Sequence, residues 1–293
     1  MKIGVVGLGL IGGSMALDLK ACGFAKTILG FDASETNQQE AISLGLVDHT
    51  CTLQELCLHS DIIILAIPVN AITLLLPEIM NSIHAKAIIT DVGSTKGQIA
   101  LTLANHAKRN QFVLAHPMAG TEFSGPKAAI RGLFKHKAVV ICDPDKSDPS
   151  NLEKVKEMYQ ALEMRVIFMD SRSHDLHAAY VSHLSHISSF VLANTVLDKE
   201  KDLDAIFNLA SAGFESTVRL AKSSPEMWTP IFEQNQVHVI EALGEYIDRL
   251  RDFHTSLVSR NYAQTKKYME NANKIRRVLA QITGQQKIDG SKT

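Results

Sequence analysis

Apolar runs and helical patterns alternate along the first half of the chain. The apolar runs have the composition of buried strands and cover residues 2–6, 27–31, 61–67, 87–90, 112–115, 138–141 and 165–169. Apolar residues at helical spacing cover residues 12–22, 36–44, 71–82, 97–109 and 151–162. Near-continuous apolar strands separated by helices predict a mostly parallel sheet covered on both faces. The predicted fold class is therefore α/β, with a doubly wound sheet of the Rossmann type.

The pattern changes after about Asp170. No strand pattern follows Ser171, helical patterns continue to about Gln281, and the residues from Gly284 form a polar tail. We therefore predict an α/β domain over residues 1–170 and an all-helical domain over residues 171–293. Wide apolar faces on the later helices predict burial against a second subunit, and so a homodimer. These faces include Ile231, Phe232, Val237, Ile240, Leu243 and Ile247.

Composition and charge narrow the classes of partner. The 30 basic and 31 acidic residues give a net charge of −1, so we expect no nucleic acid and no anionic membrane as partner. The four cysteines have no paired spacing, which favours free, buried thiols in a reducing compartment. No stretch approaches the roughly 18 apolar residues of a membrane-spanning helix. We expect a cytoplasmic protein.

A glycine motif follows the first predicted strand. Gly7, Gly9 and Gly12 have the G-x-G-x-x-G spacing of a dinucleotide-binding turn, in which the N–H groups at the helix start receive the phosphates. That helix start includes Leu10 and Ile11, which we predict as cofactor-binding residues. The second predicted strand ends in Asp32, whose carboxylate would accept hydrogen bonds from ribose hydroxyls and repel a 2′-phosphate. The pattern predicts NAD rather than NADP, the alternative being a tight turn with a capping aspartate.

Ile67 and Pro68 follow the next apolar run, at residues 61–67. Ligands bind at the carboxyl ends of strands in such sheets, so both residues are predicted to contact the cofactor. Pro68 could instead simply end the strand, and the pattern leaves both interpretations open.

Two later strand ends are rich in polar side chains. One carries Asp91, Ser94 and Lys96, and the other carries His116, Thr121, Glu122 and Ser124. Parallel strands bring these ends to the edge that holds the phosphate turn. Oxidation of an alcohol needs a base, and histidine is suited to this at neutral pH. We predict His116 as the base and Ser94 as a residue that orients the substrate hydroxyl, the alternative for His116 being a turn cap.

Four histidines lie close together at the start of the helical domain. With about 100° per residue, His183 and His186 share one face, whereas His174 and His177 point to the opposite one. We therefore expect no metal site and place His183 and His186 toward the cleft. Arg219 lies later in an apolar helical context, where it would either bind a carboxylate or lie at the surface with its stem over neighbouring apolar residues.

Together these residues resemble the prephenate dehydrogenase family, which includes arogenate and cyclohexadienyl dehydrogenases. The resemblance spans nearly the whole chain and rests on GLGLIGGS (7–14), DVGSTKG (91–97), HPMAGTEFSG (116–125), SHLSH (182–186) and GFESTVRLAKSSPEMW (213–228). It implies NAD-dependent oxidative decarboxylation of prephenate to 4-hydroxyphenylpyruvate in tyrosine biosynthesis by a homodimer. The alternative substrate is arogenate, and no residue decides between the two.

The resemblance also implies roles for single residues. His116 takes the proton of the substrate hydroxyl, Ser94 holds that hydroxyl, and Arg219 binds a substrate carboxylate. His186 contacts the substrate and Glu122 lies near the pocket entrance; we add His183 and Thr121 as predicted substrate-binding residues. Glu215 departs from the family pattern, since some relatives carry a basic residue there, which puts an ion-pair gate with Glu122 in doubt. Feedback by tyrosine would have to act at the active site.

Two other functions compete with this interpretation. A β-hydroxyacid dehydrogenase would share the two-domain plan, but such enzymes carry a lysine on the first helix between the domains, and residues 173–197 contain none. A protein that only senses NAD would need the glycines and Asp32, but not His116, Ser94 and Arg219 together.

Overall fold

In the computed structural model, which describes residues 1–200 and 206–280, an eight-stranded sheet organises the first half of the chain. The strand order is β3-β2-β1-β4-β5-β6-β7-β8, and all neighbours are parallel except the antiparallel pair β6 and β7. The prediction of a mostly parallel, doubly wound sheet is thus confirmed. The strands are β1 Lys2–Val6, β2 Thr27–Phe31, β3 His49–Thr50, β4 Ile62–Leu65, β5 Ile88–Asp91, β6 Phe112–Pro117, β7 Ala138–Cys142 and β8 Arg165–Met169.

Helices cover both faces of this sheet and then follow one another after β8. In the first half they are α1 Leu10–Ala21, α2 Glu35–Ser43, α3 Leu53–His59, α4 Val69–Ser82, α5 Gly97–Thr102 and α6 Pro149–Ala161. After β8 come α7 Ser171–Ala178, α8 Leu184–Glu200, α9 Ala212–Val218, α10 Pro225–Gln234, α11 Gln236–Val258 and α12 Tyr262–Ala272. A π-helical turn, Ala179–His183, joins α7 to α8.

Alternation along the strands explains why both faces are covered. In β4 the side chains of Ile62 and Ile64 join one apolar cluster, while Ile63 and Leu65 join the cluster on the other side. All four are fully buried. Successive residues of a strand point to opposite faces, so a strand without polar positions requires helices on both sides.

Two differences from the predicted elements have local causes. Strand β3 has two residues, too few to show a period, and it pairs with β2 at Thr50. The helix predicted over residues 97–109 ends at Thr102 as α5. Beyond it, Lys108 leaves the helical path: its amino group donates to the carbonyls of Asn81 and Ile83 at the end of α4, at 3.2 and 2.9 Å.

The chain divides into two compact units by its internal contacts, residues 1–239 and residues 240–293. This division lies within α11, and the boundary that we place between residues 170 and 171 stays a prediction. The predicted end of the helical pattern near Gln281 and the polar tail from Gly284 lie outside the described residues. None of the helices in the described part is long and apolar enough to cross a membrane.

The apolar face predicted for subunit contact is divided in the structure. Ile231 and Phe232 turn inward and pack with Trp228 and Val69, because α10 lies against α4 in the first unit. The prediction of a contact with a second subunit is therefore wrong for Ile231, which is 2% exposed, and stays a prediction for the half-buried Phe232. Val237, Ile240 and Ile247 are exposed, and Leu243 is half-buried.

All four cysteines are free thiols, although they differ in exposure. Cys57 and Cys142 are buried, whereas Cys51 is half-buried and Cys22 is exposed. The prediction of free thiols is confirmed, and the prediction that all of them are buried is wrong.

Candidate active site

The predicted phosphate turn leaves β1 with glycines at positions where a side chain has no room. Gly7 has a φ of +94°, and a Cβ there would lie 2.3 Å from the carbonyl oxygen of Ala66. A Cβ on Gly12 would lie 2.0 Å from the carbonyl oxygen of Gly7, so α1 packs directly on the turn. These two glycines therefore fix the shape of the turn.

Gly9 has a different role from the other two glycines. A Cβ on Gly9 would meet only the backbone nitrogen of Gly125, at 3.8 Å. It is followed by Leu10 and Ile11 in the first turn of α1, where no side chain of the described residues caps the helix. Free N–H groups at a helix start carry partial positive charge and bind phosphate. The turn thus has both the space and the donors that a pyrophosphate needs.

Asp32 lies beside this turn at the end of β2. Its Oδ2 accepts a hydrogen bond from the N–H of Leu8 at 2.9 Å, and its Oδ1 accepts from the N–H of Ser34 at 2.9 Å and from Asn37 Nδ2 at 3.1 Å. A carboxylate has about four acceptor positions, so one on Oδ2 is left for a ribose hydroxyl. Asn37, which the sequence analysis did not select, holds the carboxylate in place.

Ile67 and Pro68 lie on the far side of the turn. Ile67 is half-buried, and its Cγ2 would be 2.8 Å from a Cβ on Gly7. Pro68 is exposed and begins α4, since its carbonyl accepts from the N–H of Ile72. Pro68 thus has a structural role as the start of a helix, and contact of either residue with a cofactor stays a prediction.

His116 lies in β6 as the first member of a hydrogen-bonded chain of three side chains. Its Nδ1 is 2.8 Å from Nε2 of His174, and Nδ1 of His174 is 2.8 Å from Oδ1 of Asp175. The N–H groups of Lys96 and Gly97 donate to the two oxygens of Asp175, each at 2.8 Å. His174 and Asp175 are buried, whereas His116, the outermost of the three side chains, is half-buried.

The hydrogen bonds that link Asp175, His174 and His116 assign the protons on both imidazole rings. Burial would raise the pKa of Asp175, but hydrogen bonds from His174 and from the N–H of Gly97 hold that pKa below its usual value. The carboxylate therefore accepts the Nδ1 proton of His174, which leaves Nε2 of His174 as an acceptor. His116 must then donate its Nδ1 proton to His174, and the lone pair of His116 lies on Nε2.

The electrostatic surroundings keep His116 neutral. Burial is the main cause that lowers the pKa of His116 well below its ordinary value, followed by the neighbouring His174, Lys96 and His183. An imidazole that is neutral at physiological pH, with its free lone pair on Nε2, is suited to accept a proton.

The π-helical turn corrects the predicted arrangement of the histidines. A π turn adds one residue to the helix and so shifts the phase of everything after it by about 100° relative to a continuous α-helix. The prediction that His174 points away from His183 assumed a continuous helix and is wrong, whereas the same prediction for His186 stays a prediction. His174 and His183 both lie close enough to His116 to lower its pKa.

His183 and His186 differ in exposure. His183 is 1% exposed, its Nδ1 is 3.2 Å from Asn235 Nδ2, and burial lowers its pKa to about 4. His186 is half-buried and stacks on Trp228, with ring centroids 3.6 Å apart. The Nδ1–H of His186 donates to the carbonyl of Ser182 at 3.0 Å, which leaves its Nε2 as an acceptor. Their contact with a substrate stays a prediction.

The remaining predicted residues lie around this group. Arg219 follows α9 and forms an ion pair with Glu122 at 3.3 Å, with its side chain 49% exposed. Thr121, next to Glu122, accepts a hydrogen bond from the N–H of Phe123 at 3.3 Å. Ser94 is half-buried just beyond β5 and forms no side-chain hydrogen bond with another described residue. Since β5 and β6 are parallel neighbours, Ser94 and His116 lie toward the same edge of the sheet.

Two further observations concern metal and Glu215. Within residues 1–200 and 206–280, no group of three or more histidine, cysteine, aspartate or glutamate side chains is arranged to hold a metal ion. Glu215 is exposed in the first turn of α9. The ion pair of Glu122 in this chain is with Arg219.

Comparisons with known proteins agree over nearly the whole length. The family described as "Prephenate dehydrogenase, nucleotide-binding domain" matches residues 15–168, and "Prephenate dehydrogenase, dimerization domain" matches residues 170–278. The chain is 30% identical to the prephenate dehydrogenase of Lactococcus lactis subsp. cremoris, over 95% of this chain and 77% of the relative. It is 29% identical to the cyclohexadienyl dehydrogenase of Zymomonas mobilis, over 94% of this chain and 95% of the relative.

Solved structures agree with these matches. Prephenate dehydrogenase from Aquifex aeolicus, in complex with hydroxyphenyl propionate and NAD+, superposes with a TM-score of 0.85 at 28% identity, covering 95% of this chain and 98% of that one. Synechocystis arogenate dehydrogenase superposes with a TM-score of 0.77 at 29% identity, covering 95% and 100%. This chain, with its dinucleotide turn and its histidine pair at one edge of the sheet, belongs to the prephenate dehydrogenase family.

Proposed function

We propose that this chain catalyses the NAD-dependent oxidative decarboxylation of prephenate to 4-hydroxyphenylpyruvate, a reaction of tyrosine biosynthesis. The observation that carries the proposal is the hydrogen-bonded series Asp175–His174–His116, which leaves the lone pair of a neutral imidazole free at the same edge of the sheet as the phosphate turn. The curated relatives support the substrate, since those of Lactococcus lactis and Bacillus subtilis are both named prephenate dehydrogenase.

The residues at the end of β1 fit NAD. Gly9 leaves space for the pyrophosphate, the N–H groups of Leu10 and Ile11 point out of α1 toward it, and Asp32 has a free acceptor position for the ribose. The negative charge of Asp32 opposes the 2′-phosphate of NADP. When NAD is bound, its nicotinamide ring supplies the hydride acceptor for the oxidation.

His116 accepts the proton of the substrate hydroxyl and later returns it. Its Nε2 accepts this proton as the ring carbon is oxidised, and His174 and Asp175 stabilise the imidazolium through the hydrogen bonds to its Nδ1 side. The carbonyl formed at C4 draws electrons, through the conjugated ring, from the carbon–carboxylate bond at the opposite ring carbon, so carbon dioxide leaves and the ring becomes an aromatic phenolate. His116 returns the proton to the phenolate oxygen. Ser94 holds the hydroxyl in line with His116.

Arg219 supplies charge for a substrate carboxylate. Its partner in the free protein is Glu122, so a substrate carboxylate would take the place of Glu122 on the guanidinium. Tight binding of the departing ring carboxylate would oppose its loss. We therefore assign Arg219 to the side-chain carboxylate, with His183, His186 and Thr121 as further substrate-binding residues.

Replacing the base tests this function directly. We expect His116→Asn to lower kcat with prephenate by about 10²- to 10⁴-fold, because asparagine cannot accept the proton. NAD affinity should remain within about twofold, since the residues of the phosphate turn are unchanged. Wild-type kcat/KM should fall only well below pH 6.5, the ordinary pKa of histidine, because the pKa of His116 is lowered. The variant should lose this acidic limb.

A matched control is His177→Asn, which changes an exposed histidine of α7 whose one hydrogen bond to another described residue is with the carbonyl of Ser173. It should turn over like the wild type. Wild-type turnover by His116→Asn would contradict the mechanism, and absence of turnover by the wild-type protein would contradict the substrate.

We propose a homodimer built on residues 171–293. The match of residues 170–278 to a dimerization domain supports it, as do the exposed apolar side chains of Val237, Ile240 and Ile247 on α11. The four free cysteines support a reducing, cytoplasmic location. Light scattering at micromolar concentration should give twice the 32.2 kDa chain mass, and a monomer would contradict the proposal.

A further inference from the structure

A lysine and an aspartate lie fully buried beneath the strand that carries His116. The amino group of Lys96 forms an ion pair with Asp91 Oδ2 and donates to the carbonyl of Ala115 at 2.8 Å. Asp91 Oδ1 accepts from the N–H of Ala115 at 3.2 Å, and its Oδ2 accepts from the N–H of Gly93 at 2.9 Å. Both polar groups of the Ala115 backbone are thus held by this one pair.

The side chains of Lys96 and Asp91 bind the backbone of β6 beyond the point where backbone pairing with β5 ends. Strand β5 ends at Asp91, and its pairing with β6 covers Phe112 and Val113. Ala115 lies two residues further along β6, where β5 no longer supplies backbone partners. The side chains of Asp91 and Lys96 supply them instead, directly before His116.

Lys96 also binds Asp175, at the far end of the hydrogen-bonded series His116–His174–Asp175. Its backbone N–H donates to Asp175 Oδ1 at 2.8 Å, and Oδ1 is the atom that binds His174. One residue therefore anchors the backbone next to His116 through its side chain and anchors Asp175 through its backbone. Any shift of Lys96 would change the separation of His116 and His174.

Stability alone is a weak reason for such a pair. Removing two charges from water costs several kcal/mol per ion, and apolar replacements of buried ion pairs are often neutral or stabilising. Both side chains of this pair are 0% exposed, and both bind Ala115, the residue before His116. The alternative to a role in stability is therefore a role in placing His116.

We propose that Lys96 and Asp91 are positioning residues for the reaction: they fix the Ala115 backbone so that His116 keeps its hydrogen bond to His174 and its aim at the substrate hydroxyl. This inference rests on the proposed role of His116 as the base. The charge of Lys96 also keeps His116 neutral, since it lowers the pKa of that ring after burial and His174.

The test removes the pair without leaving one charge buried alone. In the double variant Asp91→Asn/Lys96→Met, the asparagine Oδ1 still accepts from Ala115, but the carbonyl of Ala115 loses its donor. We expect kcat with prephenate to fall at least about tenfold, because small displacements of catalytic groups have large effects. NAD affinity should remain within about twofold, and the acidic limb of kcat/KM should move to higher pH.

The matched control is Asp48→Asn/Lys20→Met. Asp48 also pairs with a lysine and also accepts a backbone N–H of the sheet, from Ile28 at 2.9 Å, but it lies at the amino end of β2 and is more exposed. This variant should keep the wild-type kcat and the wild-type pH profile. A purely structural role for Lys96 and Asp91 predicts the same result for both double variants, which would overturn the proposal.

A charge-conserving variant covers the case in which the neutral pair does not fold. Lys96→Arg keeps the positive charge but moves the donors, so kcat should fall at least about tenfold while the acidic limb stays in place. Wild-type kcat in Lys96→Arg would overturn the proposal. His116→Asn, measured alongside, separates the two ideas: if it keeps the wild-type rate, the assignment of the base fails, whatever the result at Lys96.

Discussion

His183 is packed between Asn235 and Trp228, with 1% of its surface exposed and its ring perpendicular to the indole at 5.7 Å. Burial is the main cause that lowers its pKa to about 4, although Asp175 acts in the opposite direction. The same cause keeps His116 neutral. Single residues in this site thus have their charge set by burial first and by their neighbours second.

The lowered pKa of His183 predicts a loss of stability in acid. The unfolded chain takes up a proton as pH falls through about 6.5, whereas the folded chain does so only near pH 4. The free energy of unfolding should therefore fall as the pH drops from about 6.5 to about 4, by up to about 3 kcal/mol from this residue. Below about pH 4 the contribution of His183 should be constant. Urea unfolding above pH 6.5 and near pH 4 should show a smaller change in His183→Gln than in the wild type.

His177→Gln is the control for this measurement, because His177 is exposed on the neighbouring α7. It should keep the wild-type dependence on pH. An equal dependence in His183→Gln and in the wild type would contradict the assignment to His183.

At the residue scale, the sequence alone selected His116 as the proposed base but did not select the two side chains that are hydrogen-bonded in series behind it. His116 could be selected because it follows an apolar strand at a sheet edge. His174 and Asp175 lie 58 and 59 positions further along the chain, and only the fold brings them to His116. The adjacent histidine and aspartate at the start of a helix were the available signal.

At the scale of elements, α1 combines two different requirements for glycine. Gly12 is needed for packing, because a Cβ would meet the carbonyl oxygen of Gly7 at 2.0 Å. Packing does not require glycine at position 9, because a Cβ there meets nothing closer than 3.8 Å among the described residues, so we assign Gly9 to the proposed ligand site. The glycine spacing predicted this helix and its turn from sequence, since Gly7 and Gly12 each lie where a Cβ would meet a carbonyl oxygen of the protein.

This difference predicts opposite effects of two alanine substitutions. Gly9→Ala should raise the Kd for NAD by about tenfold or more while its melting temperature stays near the wild-type value, because the new methyl group occupies ligand space. Gly12→Ala should lower the melting temperature, because the methyl group has no space in the protein. Calorimetric titration with NAD and thermal unfolding of both variants check this. Equal destabilisation by the two would contradict the assignment of Gly9 to the ligand.

The π-helical turn shows where sequence analysis of elements fails. Residues 171–200 have the composition of one continuous helix, and nothing in the pattern marks an inserted residue between Ala179 and His183. The resulting rotation of about 100° moves His183 and His186 relative to His174. Helical periodicity therefore predicted the wrong angular relation between His174 and His183.

At the scale of the whole molecule, the sheet could be predicted because the central strands are mostly apolar and β4 is apolar at every position. The antiparallel pairing of β7 with β6 follows from the absence of a helical pattern between residues 117 and 138. The fate of an apolar helix face could not be predicted: Ile231 is buried within its own unit, whereas Ile240 is exposed. Periodicity shows that a face is apolar and does not show what covers it.

The central claim is that this chain oxidises prephenate with NAD. The most direct measurement is the steady-state kcat/KM of the purified wild-type protein with prephenate or arogenate and with NAD or NADP, with carbon dioxide and 4-hydroxyphenylpyruvate quantified against NADH. We predict the highest kcat/KM for prephenate with NAD, with the three products formed in equal amounts. A preference for arogenate would correct the substrate, and a preference for NADP would contradict the role of Asp32. Absence of turnover with prephenate would contradict the account as a whole.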